Sequence, residues 1–226
     1  LTLAVPASTS QMYDVFVYNN AGTLTLEATA WTNDTTRATA LTTQNGVYVK
    51  SGATSRRYLG SFRTTGVSGQ TEDSIAKRYV WNYYNRVTRT MRAIEATDSW
   101  NYTTNSYRQA NAAAANQLDM VIGVSEDLVS ANVIGLGSNT NAGVGLLVAV
   151  GLDSTSAMAS GCLVGQYTCP SNGTVGAPFA QWKGFPGVGR HFLAWLEYSV
   201  SVGTTTWLGD GGGSIEQSGI HGEIRA

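Results

Sequence analysis

Residues 11–18, QMYDVFVY, alternate, with Tyr13, Val15 and Val17 on one face and Met12, Phe16 and Tyr18 on the other. Both faces are mostly apolar, and successive strand side chains point to opposite sides, so this stretch predicts a buried strand. Asn19-Asn20-Ala21-Gly22 follows with residues that tolerate positive φ, predicting a hairpin into residues 23–31. Gln44-Asn45-Gly46 predicts a second hairpin ahead of Val47-Tyr48-Val49. In residues 57–63, Tyr58, Gly60 and Phe62 oppose Arg57, Leu59 and Ser61, again as in a strand. Residues 74–87 fit two periods. Ile75, Tyr79 and Tyr83 recur as on a helix, while Tyr79, Trp81 and Tyr83 alternate as on a strand. Tyr, Trp and Val favour pleated surfaces, so at most one helical turn, capped by Asp73 or Ser74, is expected before strand resumes.

Trp100 and Tyr102, ahead of a Thr-Thr-Asn-Ser corner, predict a hairpin over residues 100–108. Strands are expected at 118–124, 128–136, 143–152 and 191–202, with 206–209 pairing back on the last of these and a final strand in 214–226 finishing at the surface. Residues around 154–186 read as a loop-rich insertion. About ten to fourteen short strands separated by Gly/Asn/Ser turns, with no repeat at a period of about 20–50 residues, give an all-β fold. The expectation is one domain, 1–226, an antiparallel β-sandwich, jelly-roll-like, with long loops and at most a short helix.

Composition refines this picture. A chain of 226 residues buries roughly 70% of its unfolded surface and needs no staple. Charged residues make up 13% of it, about half the usual share, so solubility rests on abundant Gly, Ser, Thr and Asn, as in extracellular and particle-surface β proteins. Residues 47–108 hold ten of the fourteen basic residues and only four acids, a local balance of +6 that the rest of the chain opposes with −7. Arg outnumbers Lys eleven to three, and Arg is favoured at interfaces for its planar, weakly hydrated head. These features point to packing between layers or between copies. Leu1 stands where an initiator Met would, so a processed or trimmed product is expected. No apolar run approaches the ~20 residues of a membrane helix.

Candidate chemistry is sparse. His191 and His221 stand beside no nucleophile elbow and read as structural. Glu72/Asp73, Asp98 and Glu126/Asp127 are the available carboxylate pairs for glycoside hydrolysis, and turn or cap chemistry is their plainer role. The Gly-rich pieces at 135–137 and 210–213 lack the following helix of a phosphate cradle. Arginines interleaved with Trp81, Tyr83 and Tyr84 line no single stripe, and the chain is slightly acidic, so no nucleic-acid partner is expected. Cys162 and Cys169 are spaced for a disulfide loop contributing about 2–2.5 kcal/mol, with two buried free thiols as the alternative. Neither a cofactor nor a metal site is implied.

The run YDVFVYNNAGTLTLEATAWTNDTTRATALTTQNGVYVKSGATSRRYLGSFRTT, then TEDSIAKRYVWNYYNRV, then TDSWNYTTNSYRQANAAAANQLDMVIGVSED, resembles a module of tailed-bacteriophage virion structural proteins. These are tail-fibre, head-fibre or capsid-associated proteins. The resemblance spans Met12 to Glu126 and returns at GFPGVGRHFLAWLEYS and SGIHGEI, while the Cys162 to Cys169 segment lies outside it. It implies a non-enzymatic protein on the virion surface, in contact with other virion proteins and in the manner of fibres a homotrimer. The candidate anchors between subunits are Arg57, Arg78, Trp81, Tyr83 and Arg86, because Arg, Trp and Tyr dominate interface energetics. A lectin-like module contacting host-surface glycan through exposed Trp100, Trp182 or Trp207 is the alternative, and a tailspike-type depolymerase a third.

Overall fold

The structure, a computed structural model, describes residues 1–213 and 216–226. Ser214 and Ile215, at the start of the expected final strand, lie outside the described residues. Strands β1 (Met12–Asn20) and β2 (Thr23–Ala30) form the first hairpin, and β3 (Leu41–Gln44) and β4 (Val47–Lys50) the second. Each turns on two positive-φ residues, Ala21 (48°) and Gly22 (94°), then Asn45 (51°) and Gly46 (79°), the geometry whose twist matches paired strands. β5 (Ala53–Arg63) joins the hairpins into an N-terminal sheet of order β2-β1-β5-β4-β3.

No helical turn forms over residues 74–87, within the bound of at most one that the sequence set. Ser74 closes a backbone turn on Lys77 (N to O, 2.8 Å), and the chain runs on as β6 (Lys77–Arg78) and β7 (Val80–Asn82). Alternation wins because it puts Trp81 in the core while Val80 and Asn82 stay exposed. Residues 100–108 are not a hairpin either. After β8 (Thr88–Ile94) come β9 (Ser99–Tyr102) and β10 (Tyr107–Gln109), which enter different sheets, and a 3-10 turn at Ala110–Ala112. Trp100 and Tyr102 are both buried, so β9 is held by what it packs against rather than by its neighbour in sequence.

The rest is β11 (Gln117–Ile122), β12 (Val129–Ile134), β13 (Leu136–Asn139), β14 (Gly145–Leu152), β15 (Leu163–Gly165), β16 (Tyr167–Thr168), β17 (Phe179–Gly184), β18 (Gly189–Tyr198), β19 (Thr205–Leu208) and β20 (Gly219–Arg225). The fold is an all-β sandwich. Its inner sheet has the order β16-β14-β18-β11-β6, with β10 also on β18, and its outer sheet the order β15-β17-β12-β20-β8. A small sheet, β13-β19-β9, completes the structure, so residues 206–208 of the expected 206–209 strand pair with β13 and β9 rather than with β18. Pairing is antiparallel except between β11 and β6. Three strands, β15, β16 and β17, lie within the expected loop-rich insertion. β15 closes an edge of the outer sheet and β16 an edge of the inner one.

The core lies between these two sheets. Leu118, Met120, Val148, Val150, Leu193 and Trp195 of the inner sheet meet Met91, Val129, Ala131, Val133, Trp182 and Ile220 of the outer one. On the inner sheet's other face Ala149, Ala194 and Leu196 form a second buried cluster, packed with Tyr107 and Phe192 of the same sheet and with Cys162. That explains the unbroken apolar run of β14, which has two faces to bury. β20 does not finish at the surface. It lies between β12 and β8, and Ala226 is buried, bonded through its backbone to Val87 (3.2 Å in each direction). Among the described residues no helix is long and apolar enough to cross a membrane.

Candidate interaction face

The residues expected to anchor a seam between subunits are bonded to partners within the chain. Arg86 donates to Asp127 (2.6 Å) and Glu126 (2.8 Å) and lies over Trp81 and Tyr83 at 5.5 and 5.2 Å. Trp81 is buried and donates Nε1–H to the Arg225 carbonyl at 3.1 Å. Arg78 binds Asp73 (3.3 Å) and the Thr90 carbonyl (2.8 Å), and Arg57 lies over Tyr84 at 4.4 Å while donating to its hydroxyl. Lys50 and Arg56 pair with Glu27, Arg63 with Asp34 and Arg108 with Glu197. The charge division along the sequence is therefore closed largely by the chain's own acids, as layers that fold together.

Two buried polar clusters do this pinning. Arg37 donates to both oxygens of Asp14 (2.7 and 3.2 Å) and to the Gly123 carbonyl (2.6 Å), tying the N-terminal sheet to the end of β11. Sequence reading passed over this pair, since Arg37 lies outside the basic run. Glu197, wholly buried, accepts Trp100 Nε1–H (2.6 Å), Arg108 Nε–H (2.6 Å) and the Asn111 amide (3.2 Å). Burial pushes its carboxyl above the usual range, and these donors oppose that shift.

The other expected site residues resolve differently. Trp100, Trp182 and Trp207 are 9, 6 and 0% exposed, so none presents a face to a sugar. Each fills the core, where an indole buries most apolar area. Cys162 and Cys169 are free thiols. Cys162 lies beside Val150 and Cys169 beside Val144, six residues apart along one extended segment and hence roughly 20 Å at ~3.3 Å per residue. A disulfide cannot span that. His191 holds Asp153 through Nδ1 (2.7 Å), and Asp153 also accepts the Phe192 amide (2.9 Å). Of the carboxylates, Glu72 holds Lys77, Asp73 holds Arg78 and Arg89, Asp127 is bridged to Arg86 and Arg225, and Asp98 accepts the Gly212 amide.

What remains open is the far side of the outer sheet. Alternation turns Ala180, Trp182, Ala131, Val133, Ile220 and Met91 to the core and leaves the intervening residues outward. Register sets these in rows across β17, β12, β20 and β8. The first is Phe179, Ile134, Gly219, Ile94, the second Gln181, Asn132, His221, Arg92, and the third Lys183, Ser130, Glu223, Thr90. Phe179 is 53% and Ile134 45% exposed, and Leu163 on β15 60%. Phe179 leans over Gly165, where an added Cβ would lie 2.2 Å from its ring. Gly219 leaves a hollow of about 140 Å³ between Ile94 and Ile134. A second hollow, of about 370 Å³, lies among Leu163, Trp182 and Lys183. The e-B-e-B-e exposure of FAQWK was readable as alternation in the sequence, but the surrounding Gly and Ser masked it as loop.

No family model matches the chain, and no curated protein matches its sequence. A solved structure titled "Structure of infectious bursal disease virus Gx strain" aligns over 100% of this chain and 68% of that one, at 10% identity and a TM-score of 0.21, too low to bear on fold or function.

Proposed function

We propose that this chain is a non-enzymatic structural module of a tailed-phage particle, exposed at the virion surface and working through contact with further protein subunits. One observation carries the reading: a regular five-stranded sheet buries one face in the core and leaves the other, studded with Phe179, Ile134 and Leu163, uncovered. Contiguous exposed apolar side chains rimmed by polar ones mark contact surfaces. The sequence resemblance to phage virion proteins supplies the setting. Burial of Trp100, Trp182 and Trp207 removes the stacking platform of the lectin-like alternative. The ion pairs of Asp73 and Asp127 speak for structural carboxylates over a depolymerase pair. The Arg and aromatic residues expected by analogy with fibres to anchor a trimer are engaged within the chain.

The test is gold labelling of intact particles, purified from the cells that encode the chain, with antibody raised against it. Label on the particle exterior is expected. Absence of the chain from purified particles, or release of reducing sugar ends by the purified chain, overturns the reading.

A further inference from the structure

We propose that the open face of the outer sheet binds the same face of a second copy of this chain, across a two-fold axis running close to β12. The inference rests on the structural-module reading only in taking protein as the occupant. A half-turn about an axis lying along β12 exchanges the two sides of that strand and keeps height along it. β17 and β20 are its immediate neighbours on either side. Each outward residue of β17 therefore meets the partner's β20 residue from the same register row.

Under that operation the rows set complementary residues together on β17 and β20, while at the sheet edges Arg92 of β8 falls opposite the partner's Leu163 of β15. Lys183 and Glu223 share a row with Ser130 between them, so Lys183 meets the partner's Glu223, and the pair forms twice. Gln181 meets the partner's His221, amide against imidazole. Phe179 meets the partner's Gly219, the position on that strand with no side chain. Its ring leans toward β15, which the half-turn carries over the partner's Ile94 and into the hollow of about 140 Å³ beside it. On the axis Ile134, Asn132 and Ser130 face their own copies. An isologous contact requires self-complementarity. Here a ring opposes a gap and a cation opposes an anion, at places fixed by backbone register.

Size sets the strength. Five strands about 4.8 Å apart, from three to seven residues long, give roughly 460 Å² in projection, below the ~800 Å² per partner of a standard interface. A reversible dimer of about micromolar affinity is expected.

Sedimentation equilibrium on the full chain tests this, using the wild type, Lys183→Glu, Glu223→Lys and their equimolar mixture. The wild type should pass from 23.9 kDa to twice that mass as concentration rises. Each variant alone sets like charges against each other twice and should dimerise at least tenfold more weakly. Mixing them restores both ion pairs, and a dimer with one of each chain should form. Phe179→Ser should weaken association by an independent route, and unchanged melting curves confirm that all three variants fold. A monomeric wild type at every concentration, a trimer, variants that associate normally, or a mixture that stays monomeric each overturns the pairing. Particle labelling decides the structural-module reading separately.

Discussion

Replacing Glu197 by alanine removes the acceptor on which three donors converge. Trp100 Nε1–H, at 2.6 Å and buried, would lose its partner, the Asn111 amide would lose its acceptor, and Arg108, one-third exposed, its ion pair. Breaking a buried hydrogen-bonded charge costs about 3–5 kcal/mol. At about 2–4 °C per kcal/mol for a chain of this size, the melting temperature should fall by roughly 6–20 °C. Glu197→Gln keeps one acceptor oxygen and should cost less. Its cost also depends on pH. The carboxyl's folded pKa is raised above the ordinary 4.5, so the folded state holds the proton more tightly, and stability from this group is full below that value and lost as pH rises through the folded pKa. Glutamine does not titrate, so the penalty of Glu197→Gln should be largest below about pH 4.5 and shrink toward neutrality. Urea unfolding followed by tryptophan fluorescence reads both effects, since Trp100 packs edge-on against Trp195 at 6.0 Å. A Glu197→Ala protein within 1 kcal/mol of wild type, on the scale of a single exposed ion pair, would refute the pinning role.

Gly123→Ala would set a methyl 2.2 Å from the Tyr58 hydroxyl and 2.3 Å from the Trp81 ring, and overpacking of about 1–3 kcal/mol or more should appear as a lowered urea midpoint. Asp14→Ala leaves the mostly buried Arg37 without its carboxylate and should cost about 3–5 kcal/mol in the same assay. Asp153 titrates the other way from Glu197. Burial works to raise its pKa, but His191 and the Phe192 amide hold it below the ordinary 3.8. Its contribution is present above that value and lost as pH falls through the folded pKa, so Asp153→Asn should flatten the acid limb of the stability curve. Both cysteines should react with a thiol reagent in denaturant without prior reduction, and a reductant should leave the melting temperature unchanged.

Local chemistry was legible in the sequence wherever it was self-contained. The two hairpins are written in Asn19 to Gly22 and Gln44 to Gly46, whose backbone demands few other residues meet. The all-β class followed from alternation and turn spacing. Which strands pair was not legible, because β9 and β10 take partners about a hundred residues away along the chain, and neighbours in sequence say nothing about that. The Arg/aromatic run was visible as a cluster, but whether its partners lay in the same chain or another was not. Only the register that brings Glu126 and Asp127 to Arg86 decides it. The open face escaped notice for a related reason. Phe179, Ile134, Glu223 and Arg92 are ordinary residues singly, and they become a surface only when β17, β12, β20 and β8 are set side by side.

The measurement that bears most directly on that surface is the light-scattering mass of the purified chain across a wide concentration range, at low and high salt. The face as drawn predicts a mass rising from 23.9 kDa toward twice that value, with weaker association in high salt because two ion pairs flank the contact. A mass fixed at that of one chain throughout would contradict it.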